Sequence, residues 1–207
     1  EVTLNLDAQT VTVGGGVVNY QQPLVMAAFE NDLNQVKELL AKGEDVNERE
    51  DDGTTALDLA VSHGNLEMIQ WLLSRGANAQ ATHTNGENAL FWLTEDNAVP
   101  TLELLLRAGL AVDHVDSDGN TPLIRFASYG AYAVVQALID HGANVNAANR
   151  AGRTALMEAS AGGNKEAVTS LLAAGASFSP QDADGDDALQ LAKDNDQYDK
   201  ATECSGG

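Results

Sequence analysis

Apolar residues along this chain come in groups that return at one fixed interval. Leu39-Leu40, Trp71-Leu72-Leu73, Leu104-Leu105-Leu106, Leu138-Ile139 and Leu171-Leu172 recur at a single phase, each group on one face of a short helical stretch. A glycine closes every stretch: Gly43, Gly76, Gly109, Gly142 and Gly175 follow one another at steps of 33 residues. A second ladder with the same step of 33 runs through Pro23-Leu24, Ala56-Leu57, Ala89-Leu90, Pro122-Leu123, Ala155-Leu156 and Ala188-Leu189. A third, Gly53, Gly86, Gly119, Gly152 and Gly185, marks a turn ahead of the last five of those pairs. The chain is an array.

Each unit reads as helix, turn, helix, loop. In the fourth, Thr121 is placed to cap a helix that begins at Pro122, where proline costs no backbone bond. Gly130 interrupts it, and a second helix through Val134, Val135, Leu138 and Ile139 ends at Gly142 in a left-handed cap. Two short helices cannot bury such a face alone, so the units must stack, each Leu-sized side chain contributing ~1.5–3 kcal/mol on burial. Ahead of the array, Val2, Leu4, Leu6, Val11 and Val13 alternate and predict two strands around Asp7-Ala8-Gln9, with Gly14-Gly15-Gly16 as a link. We expect residues 1–21 to form a hairpin that caps the first unit. At the other end, the polar stretch 182–196 suits a terminal unit facing water, with Ser205-Gly206-Gly207 frayed.

The segments DGTTALDLA (52–60), DGNTPL (118–123) and HGANVNA (141–147) resemble ankyrin repeats, and the resemblance covers about residues 22–207. It implies an all-α solenoid of stacked helix-turn-helix units with β-hairpin fingers. The units run at about 22–48, 49–81, 82–114, 115–147, 148–180 and an incomplete 181–207. It also implies a function, the binding of other proteins through the fingers and the inner helices. The family's histidine after the Pro-Leu pair is replaced throughout, by Val25, Asp58, Phe91, Ile124, Met157 and Gln190, so its hydroxyl–imidazole ties between units are expected to be missing. Leu93 and Phe126 stand where a small residue is usual and should force repacking. Unit three also has Asn97 for the mid-unit glycine, and Pro100, which fits only the first turn of a helix.

Charge narrows the partner. Eleven lysines and arginines face thirty-one aspartates and glutamates, a formal charge of −20 with a pI near 4.2. Nucleic acids and anionic membranes are disfavoured, because both are held by cations. A single cysteine, Cys204, allows neither an internal disulfide nor a cysteine-based zinc cage and reads as an incidental thiol. The chain starts at Glu1 rather than Met, which fits trimming or a cleaved export signal; of the two locations, bacterial periplasm is preferred over cytoplasm.

Catalytic and metal chemistry find no pattern. His63, His83, His114 and His141 fall in turns, without zinc-ligand spacing or a nucleophile motif, and read as solvated. The acidic turns DADGD (182–186) and DSDGN (116–120) fail the calcium-loop pattern; with Gly185 as its glycine, Pro180 and Leu191 fall where acids are needed. No catalytic residue, cofactor or metal site is therefore expected.

The binding candidates lie on the finger turns and the inner helices. Seven acids crowd between Glu44 and Asp58 against Arg49, and another seven between Asp182 and Asp199 against Lys193. Basic residues gather at Arg150 and Arg153. Turn residues Asp51, Asp52, Asn85, Glu87, Ser117, Asp118, Arg150 and Arg153 are expected to face outward. Beside them run Phe29, Ser62, His63, Glu95, Asp96, Ser128 and Tyr129, with Trp92 either packed against Leu59 or open to a partner. Arg125 and Glu158, equivalent positions in adjacent units, are expected to pair. The reading is a non-enzymatic module, monomeric when free. It docks one protein partner with a basic contact patch, inhibiting or protecting against a partner enzyme. A scaffold within a larger complex is the alternative.

Overall fold

Threonines open the first helices. In the computed structural model, which describes residues 2–5, 10–13, 16–18 and 21–194, Thr55, Thr121 and Thr154 accept the backbone N–H groups of Asp58, Ile124 and Met157. Each threonine thereby satisfies a donor that a helix start leaves orphaned. The elements follow the ladder of pairs: α1 (Pro23–Phe29), α2 (Leu33–Lys42), α3 (Ala56–Ser62), α4 (Leu66–Ser74), a 3-10 helix (Ala89–Trp92), α5 (Ala98–Arg107), α6 (Pro122–Tyr129), α7 (Tyr132–Asp140), α8 (Ala155–Ala161) and α9 (Lys165–Ala173). A further helical segment occupies 188–194.

These helices stack in two layers. In one, α1 packs on α3, α3 on the 3-10 helix, and α6 on both that helix and α8. In the other, α4 packs on α5, α5 on α7, and α7 on α9. Leu24, Leu57, Leu90, Leu123 and Leu156 are the rungs of the first layer, and Leu72, Leu105, Leu138 and Leu171 those of the second; all are buried. Polar side chains tie the loops behind them: Asn47, Asp113 and Asn146 accept the backbone N–H of Asn78, Asn144 and Ser177 in the next unit.

Unit three departs from its neighbours. Its first helix shrinks to the 3-10 turn, and the chain leaves it in an extended conformation at Leu93, which is buried. Phe126, the matching large residue of unit four, is buried on an intact α6. Asn97 takes the left-handed conformation of the missing glycine (φ 61°) and donates its amide to the Gly64 carbonyl. Pro100 falls in the first turn of α5.

The N-terminal extension carries three strands where alternation predicts two. β1 (Val2–Asn5), β2 (Thr10–Val13) and β3 (Gly16–Val18) pair antiparallel in that order, Val2 opposite Val13 and Thr12 opposite Val17. The side chains that would cap the first unit, the turn Asp7-Ala8-Gln9, and residues 195–207 with Cys204 lie outside the described residues.

Candidate functional site

The fingers are joined by a ladder of backbone hydrogen bonds. Thr84 donates to the Asp52 carbonyl, Ser117 to Asn85, Arg150 to Asp118 and Ala183 to Ala151, all at 2.8–2.9 Å. Successive tips are held this closely because glycine stands between them. A Cβ on Gly86, whose φ is +81°, would lie 2.9 Å from the Ser117 nitrogen. Within a finger, Asp116 accepts the N–H groups of Asp118 and Asn120, and Asn149 and Asp182 repeat the arrangement at the same rung. The ladder brings Asp51, Asp52, Asn85, Ser117, Asp118 and Arg150 into one exposed row.

Two arginines lock this row from beneath. The Arg125 guanidinium bonds Glu87 at 2.6 Å and Asp116 at 2.9 Å, so a helix of unit four holds the fingers of units three and four. Arg153 bonds Glu158 at 2.5 Å in its own unit and Asp182 at 3.2 Å in the next finger. The expected Arg125–Glu158 pair gives way to these ties: Arg125 finds the Glu87 and Asp116 carboxylates and Glu158 finds the Arg153 guanidinium. Burial pushes the Asp116 carboxyl up, but bonds from Asn120, Arg125 and Asp118 outweigh it and hold it below the usual carboxylate range. Glu87 and Arg153 are thus half-buried and committed within the protein.

On the inner helices the expected residues separate into bound and free. Phe29 packs against the core; the Ser62 and Ser128 hydroxyls donate to Leu59 and Arg125 carbonyls. The Glu95 carboxylate accepts the Ala133 N–H, and His63, exposed at the end of α3, keeps a ring nitrogen 2.7 Å from the Leu59 carbonyl. Asp96 is exposed, and Tyr129 stands out at 67% exposure. Residue types alone did not mark Asn120, Ile124, Arg125 and Glu158, which line a cavity of about 180 Å³ with Ser128 and Tyr129. Arg125 and Glu158 carried the signal, as charged residues at equivalent positions of adjacent units.

Charge is unevenly spread. The second-layer helices nearly balance, with Lys37, Lys42, Arg107 and Lys165 against Glu38, Glu67, Glu103, Asp140 and Glu166. The finger turns, by contrast, set Glu48, Glu50, Asp51, Asp52, Glu87, Asp116, Asp118, Asp182, Asp184, Asp186 and Asp187 against Arg49, Arg150 and Arg153. Among the described residues no three His, Cys, Asp or Glu are grouped to hold a metal ion, and no helix is long and apolar enough to cross a membrane.

A family model described as ankyrin repeats (3 copies) matches residues 5–83, 24–114, 75–149 and 127–202, so that overlapping matches span nearly the whole chain. The chain belongs to the ankyrin-repeat family. It is an all-α repeat solenoid and, as a member, a protein–protein interaction module of a generally non-enzymatic kind. No curated protein matches it.

One departure from the ankyrin pattern is rebuilt in space. Asp58 occupies the family's histidine position and accepts both the backbone N–H and the hydroxyl of Thr55, at 2.9 and 2.6 Å. An imidazole is supplied from the next finger instead: His83 Nε2 lies 3.1 Å from Asp58 Oδ2. His83 is buried, which overturns its reading as a solvated turn residue. Its ring lies 5.2 Å from that of Trp92, whose indole nitrogen is buried without a hydrogen-bond partner. Trp92 is therefore half-buried packing for the finger joint.

Proposed function

We propose that this ankyrin-repeat chain, monomeric when free, docks one protein partner on its finger row and inner-helix face, and that the partner offers a basic patch. The observation carrying this reading is the charge asymmetry, near-neutral second-layer helices behind an acidic finger edge. Asp51, Asp52, Asp118 and Asp96 are exposed there, so their field reaches solvent and steers a basic partner. Rigidity supports it too, because tips fixed by backbone bonds and arginines lose little conformational entropy on docking. Fingers laid across an enzyme's cleft would inhibit that enzyme, with no catalysis by this chain. A photo-crosslinker at Asn85 on the finger row should capture the partner, whereas one at Gln70, exposed on α4, should not. Capture from Gln70 alone would place binding on the opposite layer.

A further inference from the structure

We propose that the cavity lined by Asn120, Ile124, Arg125, Ser128, Tyr129 and Glu158 receives one arginine side chain of the partner. The inference rests on the reading that a basic partner docks on the inner-helix face, and it names where that face grips. The cavity, at about 180 Å³, has room for a side chain, whereas small-molecule sites run to ~300–1,000 Å³.

Hydrogen-bond accounting selects the occupant. The Ser128 hydroxyl proton is spent on the Arg125 carbonyl, and both protons of Arg125 Nη2 are spent on Glu87 and Asp116. Asn120 directs its amide to Asp116, and Arg125 Nη1 donates to the Tyr129 hydroxyl. Asn120 Oδ1 already accepts the Asn149 amide and Glu158 Oε1 the Arg153 Nε–H, so the lining keeps acceptor capacity at the Ser128 hydroxyl oxygen and Glu158 Oε2. Although the Tyr129 hydroxyl keeps its own proton, these acceptors favour an entering group that brings donors. It must also be cationic, because Arg125 and Arg153 beside the cavity are each outnumbered two to one by carboxylates. Tyr129 adds the geometric choice: its exposed ring gives a planar guanidinium a face to stack on, which an ammonium uses less well.

The test is calorimetric titration of the full chain with acetylated, amidated tetra-arginine, tetra-lysine and tetra-glutamate. Tetra-arginine should bind most tightly and tetra-glutamate not at all. Tyr129→Ala should weaken tetra-arginine about three- to tenfold, Tyr129→Phe should restore it, and Glu166→Gln on α9 should leave it unchanged. The Tyr129 variants keep the fold within reach, since that side chain is exposed. Undiminished binding to Tyr129→Ala and Glu158→Gln, with loss in Asp51→Asn/Asp52→Asn, would overturn the cavity assignment while leaving a basic partner on the fingers. Equal affinity for tetra-lysine would overturn the guanidinium assignment. Failure of both cationic peptides to bind would overturn the inference together with the basic-partner reading.

Discussion

His83 Nε2 and Asp58 Oδ2 lie 3.1 Å apart with side chains only 7% and 3% exposed, an ion pair that joins the finger of unit three to the first helix of unit two. Burial alone would lower the imidazole's pKa, but the Asp58 carboxylate, with the charges of Asp52 and Glu87, outweighs it and raises the value. Arg49, which donates to the Thr82 carbonyl, is the cation on the facing finger, and Arg125 is occupied by Glu87. Folding therefore favours the imidazolium. The stabilisation is complete below the free imidazole's value of 6.5 and is lost as pH rises through the higher folded value. Thermal melts should show stability falling as pH rises above 6.5. His83→Gln should remove that slope and cost about 1–3 kcal/mol at pH 6.

Arg125→Lys should not rescue the finger clamp. The guanidinium serves Glu87 and Asp116 at once, and Asp116 is almost wholly buried. Both bonds leave the single nitrogen Nη2, and a lysine Nζ, one bond nearer its Cα, falls short of them and lacks the Nη1 bond to Tyr129. Breaking a fully buried pair costs ~3–5 kcal/mol; at this half-buried site about 2–3 kcal/mol is expected for Arg125→Ala, and a similar loss for the lysine variant. Urea midpoints at constant slope would check it, and a lysine variant as stable as the parent would contradict it.

Two glycines with similar backbone should respond differently to alanine. Gly86 and Gly142 have φ of +81° and +83°, so both substitutions meet left-handed strain of ~1–2 kcal/mol. At Gly142 nothing lies within 4 Å of the new Cβ, whereas at Gly86 it meets the Ser117 backbone at 2.9 Å. Gly86→Ala should therefore destabilise more, by about 2–4 kcal/mol in denaturant unfolding.

The array was legible because burial and period speak directly: a leucine every 33 residues is a leucine at the same contact, and all the rungs from Leu24 to Leu156 are buried. The irregularity of unit three was legible in Leu93, Asn97 and Pro100, though not the form it takes, a 3-10 turn, since that depends on how neighbours share the space. The finger row could be read because tips stand at fixed offsets from their glycines. Pairing could not. Arg125 and Glu158 share a rung, yet each reaches a finger rather than the other. His83 occupies the rung of Asp116, Asn149 and Asp182, and only the stacking of finger three on α3 reveals that Asp58 awaits it.

The central claim is that the acidic finger edge, and not the second layer, meets the partner. The most direct measurement is the association rate of the captured partner against ionic strength, for the parent chain, Asp51→Lys/Asp52→Lys and Glu67→Lys/Glu166→Lys. Exposed acids at a contact raise the on-rate and make it fall with salt. The account predicts slower association and a flatter salt dependence for the finger variant alone, with the second-layer variant indistinguishable from the parent. Unaltered kinetics in the finger variant, with slowed association in the second-layer variant, would contradict it.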